Sequence, residues 1–161
     1  MPLPEVVETF GLKAVMRGAA QWFQAVSGTK IKITHPRPMG VLDDRQTVRG
    51  GGYCYAVRGT LKRLPIDNMI WLLVEEQGGL RAWPQGFHPV VYDPGIKEWH
   101  GRISDERTNM LIKIVAVVAP PTSQDFFSYY ERAGLATGYM ALERVPPECK
   151  NRDYVQVYVP A

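Results

Sequence analysis

Cysteine is scarce in this sequence: the 161 residues include two, Cys54 and Cys149. Two cysteines do not form a disulfide framework, and no CxxC pair or Cys/His cluster is present that would hold zinc. We therefore expect two free thiols, with Cys54 lying in a β-strand.

Long hydrophobic runs are also missing. The longest apolar stretch, within residues 110–119, is interrupted by Lys113 and falls short of the ~18 uncharged residues that a membrane-spanning helix needs. The start, Met1-Pro-Leu-Pro-Glu5, has no basic region followed by an apolar core, as a secretory signal would. These two observations predict no membrane span and a cytoplasmic location.

Familiar catalytic motifs are missing as well. The sequence contains no HExxH and no GxSxG, and Gly50-Gly51-Gly52 is not followed by the Lys-Ser/Thr of a phosphate-binding loop. Three consecutive glycines between strand-like residues are more typical of a β-bulge or a strand corner. We predict no catalytic residue, no metal site and no cofactor.

Positive charge is concentrated in the first part of the chain but does not form clusters. Residues 1–63 contain ten Lys/Arg and four Asp/Glu, whereas residues 64–161 contain nine and twelve. The basic residues of the first part are scattered over different predicted elements, which favours a solvated surface over a nucleic-acid-binding one.

Residues 4–27 carry the pattern of an amphipathic helix. Pro4 suits a first helical turn and Gly28 suits a helix end. Apolar residues recur every three or four positions and share one face: Val7, Phe10, Ala14, Gly18, Trp22 and Ala25. We predict an N-terminal helix within residues 1–28 that docks on the chain's own sheet, on a second copy of the chain or on a protein partner. The candidate partner-binding residues are Phe10, Ala14 and Trp22.

From residue 30 onwards the pattern changes to short runs rich in β-branched and aromatic residues, separated by Gly, Pro and Asp. Strands are predicted at 30–34, 69–75, 80–84, 90–92, 97–103, 109–119 and 154–159, and residues 46–61 are predicted to form one or two strands interrupted by Gly50-Gly51-Gly52. Those from Met69 to Ala119 read as a meander. The nearly continuous apolar run from Leu111 to Val118 is typical of a central strand covered on both faces.

One further helix is predicted near residues 122–134. Thr122 and Asp125 resemble a capping box, and Gly134 suits a helix end. Together the elements predict a mainly β protein: an antiparallel immunoglobulin-like β-sandwich over 29–161, with an N-terminal helix and one inserted helix. Trp71, in an early central strand, is compatible with the core of such a sandwich.

Five short motifs carry a family resemblance. In chain order they are Val57-Arg-Gly59, Ile70-Trp71, Trp83-Pro84-Gln85, Trp99-His-Gly101 and Ile114-Val-Ala-Val117. This order resembles the immunoglobulin-like accessory domains of bacterial proteins of undefined activity, over about residues 30–120. The resemblance implies a binding or scaffolding module of a larger bacterial assembly, and it transfers no catalytic residue.

An aromatic and polar set is the best candidate for a ligand site. If its two segments pair as neighbouring strands, flat rings, an amide and imidazoles line one face, which would suit a sugar, a base or a peptide. The candidate ligand-binding residues are Trp83, Gln85, His88, Trp99 and His100. In the alternative interpretation, Trp83 and Trp99 fill the core and Gln85 bonds to the backbone.

Three functional hypotheses follow. The first is a non-enzymatic protein-binding or scaffolding module. The second is a small-ligand or carbohydrate-binding domain that uses the region of Trp83 and Trp99. The third is an enzyme of unrecognised type that uses His88 or His100 beside an acid.

Overall fold

The computed structural model describes residues 30–42, 45–47, 52–78, 81–86 and 89–161. The predicted N-terminal helix, with Phe10, Ala14 and Trp22, lies outside these ranges, as does His88. The described residues contain nine strands and one helix. They are β1 (Ile31–His35), β2 (Arg45–Thr47), β3 (Tyr53–Leu61), β4 (Met69–Glu75), β5 (Ala82–Pro84), β6 (Val91–Asp93), β7 (Glu98–Asp105), β8 (Met110–Ala119), α1 (Pro121–Thr137) and β9 (Arg152–Val159).

The strands form two sheets. Sheet 1 has the order β1-β3-β7-β6, with β2 also pairing β3, and sheet 2 has the order β5-β4-β8-β9. Every pairing between these strands is antiparallel. The prediction of a mainly β, antiparallel protein is therefore confirmed.

The predicted meander is wrong. After the β4–β5 hairpin the chain crosses from sheet 2 to sheet 1 for β6 and β7, and it crosses back for β8. Alternating apolar residues show that each strand buries one face, but they do not show which sheet the strand joins. Two sheets are needed here because the apolar faces of the strands must enclose one another.

The core lies between the two sheets and is formed by alternate residues of their facing strands. Its largest side chain is Trp99, which is 1% exposed and whose Nε1 donates to the carbonyl oxygen of Thr60 at 3.3 Å. Gly59 lies directly opposite Trp99 in the β3–β7 ladder. A Cβ at position 59 would overlap both the indole ring and the carbonyl oxygen of Lys32, so glycine here makes room for the tryptophan.

A second apolar layer covers the outer face of sheet 2. Phe127 of α1 packs on Trp71 of β4, with ring centroids 4.9 Å apart. Leu73, Val117 and Cys149 belong to the same buried cluster. The prediction that β8 is a central strand covered on both faces is confirmed: it lies between β4 and β9, with the core on one side and α1 on the other.

Trp71 does not lie in the core between the sheets. Its neighbour Leu72 points into that core, and Trp71 points the opposite way because successive strand residues alternate between faces.

The predicted inserted helix exists, with different ends. It begins at Pro121 after Pro120, and no side chain caps it, so the capping box of Thr122 and Asp125 is not formed. Gly134 lies inside the helix, where it packs against the ring of Tyr139. The helix ends at Thr137. Gly138 follows it with a positive φ of 88°, which is favourable for glycine, and its N–H donates to the Gly134 carbonyl oxygen at 2.8 Å.

The substitution Gly59→Ala tests the close contact beneath Trp99. We expect it to lower the free energy of unfolding by about 2–3 kcal/mol, because backbone and indole must both move to admit a methyl group. Urea unfolding followed by tryptophan fluorescence measures this loss. The matched control is Gly95→Ala in an exposed turn, where the added methyl meets only the Asp93 carboxylate and where we expect a change within about 0.5 kcal/mol. Equal effects of the two substitutions would contradict the proposed packing.

Candidate functional site

A concave surface in the described part of the chain is a groove on the outer face of sheet 2. It has a volume of about 410 Å³. We call it the β8–β9 groove, and its lining residues are Glu75, Lys113, Val115, Arg144, Val145, Pro147, Arg152 and Tyr154.

Strand register brings the groove residues together. Lys113 and Val115 share the outer face of β8, and Arg152 and Tyr154 share the outer face of β9. Val115 pairs directly with Tyr154 across the ladder, and Lys113 pairs with Glu75 of β4. Four side chains from two strands, and one from a third, thus line a single surface.

The segment that follows α1 supplies the remaining wall. Leu142 pairs with Ala82 at the edge of sheet 2 through two backbone hydrogen bonds of 2.9 and 2.7 Å. Val145 and Cys149 then pack on the outer face of the sheet, before the chain enters β9. This path places Arg144 and Pro147 beside the strands.

One ion pair organises the floor of the groove. Glu75 is 7% exposed, and its carboxylate lies 2.6 Å from the Nζ of Lys113. The same ammonium group lies 4.6 Å from the centroid of the Tyr154 ring, close enough for a cation–π contact. Glu75 therefore neutralises Lys113, and Lys113 fixes the position of the tyrosine.

The two arginines of the groove remain available for other contacts. Arg144 and Arg152 are exposed, and neither forms an ion pair with another described residue. Since Glu75 and Lys113 balance each other, the groove carries a surplus of two positive charges. Tyr154, 62% exposed, provides aromatic surface beside them. The groove is therefore suited to an anionic group that is attached to an apolar one.

The predicted ligand residues Trp83 and Gln85 form part of a connection between the sheets. Gln85 accepts the backbone N–H of Ser104 in sheet 1 at 2.8 Å, and its Nε2 donates to the Trp83 carbonyl oxygen at 3.4 Å. The guanidinium of Arg107 lies 4.7 Å above the Trp83 ring and donates two hydrogen bonds, of 2.9 and 2.7 Å, to the Asp105 carboxylate. Of the two interpretations of Gln85, bonding to the backbone is the one observed.

Trp99 and His100 do not join Trp83 on a common face. The expectation that the two segments pair as neighbouring strands is wrong, because β5 pairs β4 in sheet 2 whereas β7 pairs β3 and β6 in sheet 1. Trp99 is buried in the core, and His100 is exposed on the opposite face of β7. Trp83 and Trp99 are therefore not neighbours, although only 15 residues separate them in the sequence.

His100 has no acidic partner in the described part of the chain. It lies on the outer face of sheet 1 between Arg58 and Val91, and it forms neither a hydrogen bond nor an ion pair there. The arrangement that the enzyme hypothesis requires at His100, an imidazole beside a carboxylate, is therefore not formed by these residues.

A perturbed acid lies elsewhere, where α1 meets the end of β5. Burial raises the pKa of Glu131, while a hydrogen bond from the backbone N–H of Gly86 acts in the opposite direction. Burial likewise raises the pKa of Tyr130 to about 12, with a smaller contribution from Tyr139. A Cβ at residue 86 would overlap the Glu131 carboxylate, so a glycine here admits it. These groups belong to the packing of α1 and lie outside the lining of the groove.

Sequence reasoning missed the groove. Lys113 is the one signal in the sequence, because a lysine inside a buried central strand indicates that one end of that strand is uncovered. Arg144 and Arg152 gave no usable signal, because they become neighbours only through the path of the chain after α1.

Replacing Lys113 by Met tests the ion pair. We expect a loss of about 2 kcal/mol in the free energy of unfolding, less than the roughly 3–5 kcal/mol of fully buried pairs, because the buried Glu75 carboxylate loses its partner. The double variant Glu75→Gln/Lys113→Met should regain part of that loss, and Lys32→Met, at an exposed lysine of β1, should change stability by less than about 0.5 kcal/mol. Urea unfolding of these variants and of Glu75→Gln alone completes the double-mutant cycle and gives the coupling energy, and a coupling of zero would contradict the pairing.

Replacing Glu131 by Gln tests its environment through pH. A raised pKa means that the folded protein holds this proton more tightly than the unfolded chain, so the stabilising contribution is present at low pH and is lost as pH rises through the folded-state pKa. Gln keeps an oxygen to accept the Gly86 N–H and carries no charge. We expect the stability of Glu131→Gln relative to the unmodified protein to increase between pH 4 and pH 7.5.

Urea unfolding at several pH values measures that difference. The exposed Glu143→Gln variant removes the same charge elsewhere and serves as the control for net charge. A difference between Glu131→Gln and this control that does not change with pH would contradict the assignment.

None of the helical residues in the described ranges forms a segment with the length and apolar character that crossing a membrane would require. Comparison with models of known protein families found no match, and comparison with curated proteins found no relative. The β8–β9 groove must therefore be interpreted from its own geometry and chemistry.

Proposed function

We propose that this protein is a non-enzymatic binding module that recognises a protein partner through the β8–β9 groove. The observation that carries the proposal is the groove itself, in which two exposed arginines, Arg152 on β9 and Arg144 on the connection after α1, line one surface with an exposed tyrosine. Tyrosine and arginine are enriched where proteins bind each other, because both offer contact area and hydrogen bonds together.

We further propose that the scaffold is an immunoglobulin-like β-sandwich. In that family one sheet has the strand order A-B-E-D, and the other contains C-F-G, to which some members add a strand beside C. The order β1-β3-β7-β6 corresponds to the first sheet, and β5-β4-β8-β9 corresponds to the second. The parallel bridge between Val41 and Tyr158 also places the chain after β1 beside the last strand.

Two features depart from the immunoglobulin pattern. Cys54 lies on β3, but β8 contains no cysteine with which it would form the inter-sheet disulfide. Trp71, on the strand that corresponds to C, faces α1 instead of the core. The helix α1 lies in the connection between the strands that correspond to F and G, and this connection also supplies Arg144 to the groove. Binding residues on connections between rigid strands are common in such scaffolds.

The N-terminal segment supplies a second proposed contact. The amphipathic helix predicted within residues 1–28 would present Phe10, Ala14 and Trp22 to a partner or to a second copy of the chain. A module with two contact surfaces suits a scaffold of a larger bacterial assembly, as the resemblance implies. Two free, buried thiols suit a reducing cytoplasm.

The alternative of a carbohydrate-binding domain requires exposed rings of Trp83 and Trp99. Trp99 is buried in the core and Arg107 covers the ring of Trp83, so these two residues do not form that binding surface. The volume of the β8–β9 groove lies within the roughly 300–1,000 Å³ of small-molecule sites, so a small ligand there is a competing outcome of the experiments that follow.

Charge reversal at the groove tests the proposed function. The full-length protein, an Arg144→Glu/Arg152→Glu variant and a Lys32→Glu/Arg58→Glu control are each used to capture proteins from an extract of the cells that produce the protein, with mass-spectrometric quantification. The control makes the same change in charge on exposed residues of sheet 1. We expect at least one protein to bind the unmodified chain and the control, and to decrease at least tenfold with the groove variant.

Loss of the captured protein with both the groove variant and the control would indicate an effect of net charge and not of the groove. Capture of the same protein by the groove variant would overturn the proposal.

A Phe10→Asp/Trp22→Asp variant tests the N-terminal contact separately, by capture and by light scattering. Unchanged capture together with an unchanged molecular mass would exclude that contact.

A further inference from the structure

Building on the proposed function, we infer that the β8–β9 groove binds an acidic peptide segment. In this arrangement Arg144 and Arg152 hold a carboxylate side chain, and a neighbouring apolar side chain of the peptide contacts Tyr154 and Pro147. The inference names the chemical class of the ligand, which the proposed function leaves open.

Only part of the positive charge in the groove is available to a ligand. Lys113 is already neutralised, since its Nζ lies 2.6 Å from the carboxylate of the buried Glu75. The unsatisfied donors of the groove are therefore the two guanidinium groups. A guanidinium presents its N–H donors in a planar fork that matches a carboxylate in a two-pronged arrangement, which an ammonium group does not.

The planar fork of a guanidinium matches both a carboxylate and a phosphate, because each accepts two parallel N–H bonds. Glu75 also lines the groove, but Lys113 balances its charge, so Glu75 does not distinguish the two anions. Asp and Glu side chains of a protein partner supply a carboxylate without any modification, and we therefore take a carboxylate as the anionic group.

The apolar part of the lining indicates a peptide and not an isolated acid. Tyr154 is 62% exposed, and Pro147 is exposed beside it. The floor is formed by the buried Val115 and Val145. A side chain next to the bound carboxylate can bury apolar area against the ring and the proline, which a free acetate or formate ion cannot.

The dimensions agree with a short segment. About 410 Å³ is comparable to a small-molecule site, and it accommodates a few side chains but not a folded domain. The groove is bordered by Arg144 from the connection after α1 and by Arg152 from β9, so a carboxylate between them would be held from two sides.

The test is an NMR titration of the full-length, ¹⁵N-labelled protein with two unlabelled, end-capped peptides. One is Glu-Leu-Glu-Glu-Leu-Glu, and the matched peptide is Gln-Leu-Gln-Gln-Leu-Gln. We expect the acidic peptide to shift the amide signals of β8, β9, Arg144 and Val145, and to bind at least tenfold more tightly than its neutral counterpart. Raising the salt concentration should weaken binding, because the contact is between opposite charges that remain partly exposed.

Two variants localise the binding. Arg144→Gln/Arg152→Gln should weaken binding of the acidic peptide at least tenfold, and Lys32→Gln/Arg58→Gln on sheet 1 should leave it within twofold. Both pairs of positions are exposed, so a dispersed spectrum is expected in each case and verifies folding before titration. Tyr154→Ala should reduce the affinity for the acidic peptide but leave the weak shifts caused by sodium acetate unchanged, since acetate lacks the apolar part.

Several outcomes would overturn the inference: equal affinity for the two peptides, no shift at millimolar peptide, or full binding by the arginine variant. Tighter binding of inorganic phosphate or of a phosphoserine peptide than of the acidic peptide would replace carboxylate by phosphate as the ligand.

Failure of the proposed function gives a different result from failure of the acidic-peptide assignment. If the groove variant loses a captured protein but the peptide does not bind, the partner-binding role stands and the acidic-peptide assignment falls. If the peptide binds at the groove but the groove variant captures the same proteins as the unmodified chain, the acidic-peptide assignment stands and the partner-binding role falls.

Discussion

Most of this structure depends on one constraint: sheet 2 has two apolar faces, and both must be covered. The residues from Ile70 to Val74 and from Ile114 to Ala119 are buried at every position, so each face of β4 and β8 presents hydrophobic side chains. Sheet 1 covers one face. The other is covered by α1 and the segment after it, and a chain without them would expose Trp71 and Val117 to water. The inserted helix is thus required by the composition of the strands that flank it.

The groove follows from the extent of that cover. Where α1 and the following segment end, the outer face of sheet 2 changes from apolar to charged, at Glu75 and Lys113. A buried carboxylate is tolerated there because a lysine from the neighbouring strand neutralises it. Beneath the surface, the core that contains Trp99 and the hydrogen bond between Ser104 and Gln85 connect the two sheets. Groove residues on β8 and β9 are therefore held by strands that have little freedom to move.

The sequence was sufficient for the elements but not for their assembly. Alternation and Gly/Pro punctuation placed most strand boundaries within a residue or two, since a strand that buries one face must alternate. The same pattern does not show which strands pair. The predicted ligand site is wrong for this reason, because it requires Trp83 and Trp99 to lie on paired strands and they lie in different sheets.

The groove could not be predicted from the sequence for a related reason. Glu75, Lys113, Arg144 and Arg152 come from four separate parts of the chain, and only the order β4-β8-β9 with the return after α1 brings them together. Lys113 was the one residue whose local context carried information. Tyr154 was assigned to a strand, and the alternation there fixed its face but not its neighbours.

The position of α1 has a consequence for how this protein could diversify. The connection that contains it leaves β8 and enters β9 at the same end of sheet 2, because Val117 is paired with Arg152. A longer or shorter connection between two such adjacent ends costs little in loop-closure entropy, since that cost grows only with the logarithm of length. One wall of the groove, including Arg144, can therefore be exchanged while the strands that carry Lys113 and Tyr154 stay in register. Related chains would be able to keep one scaffold and acquire different binding preferences by replacing this single insertion.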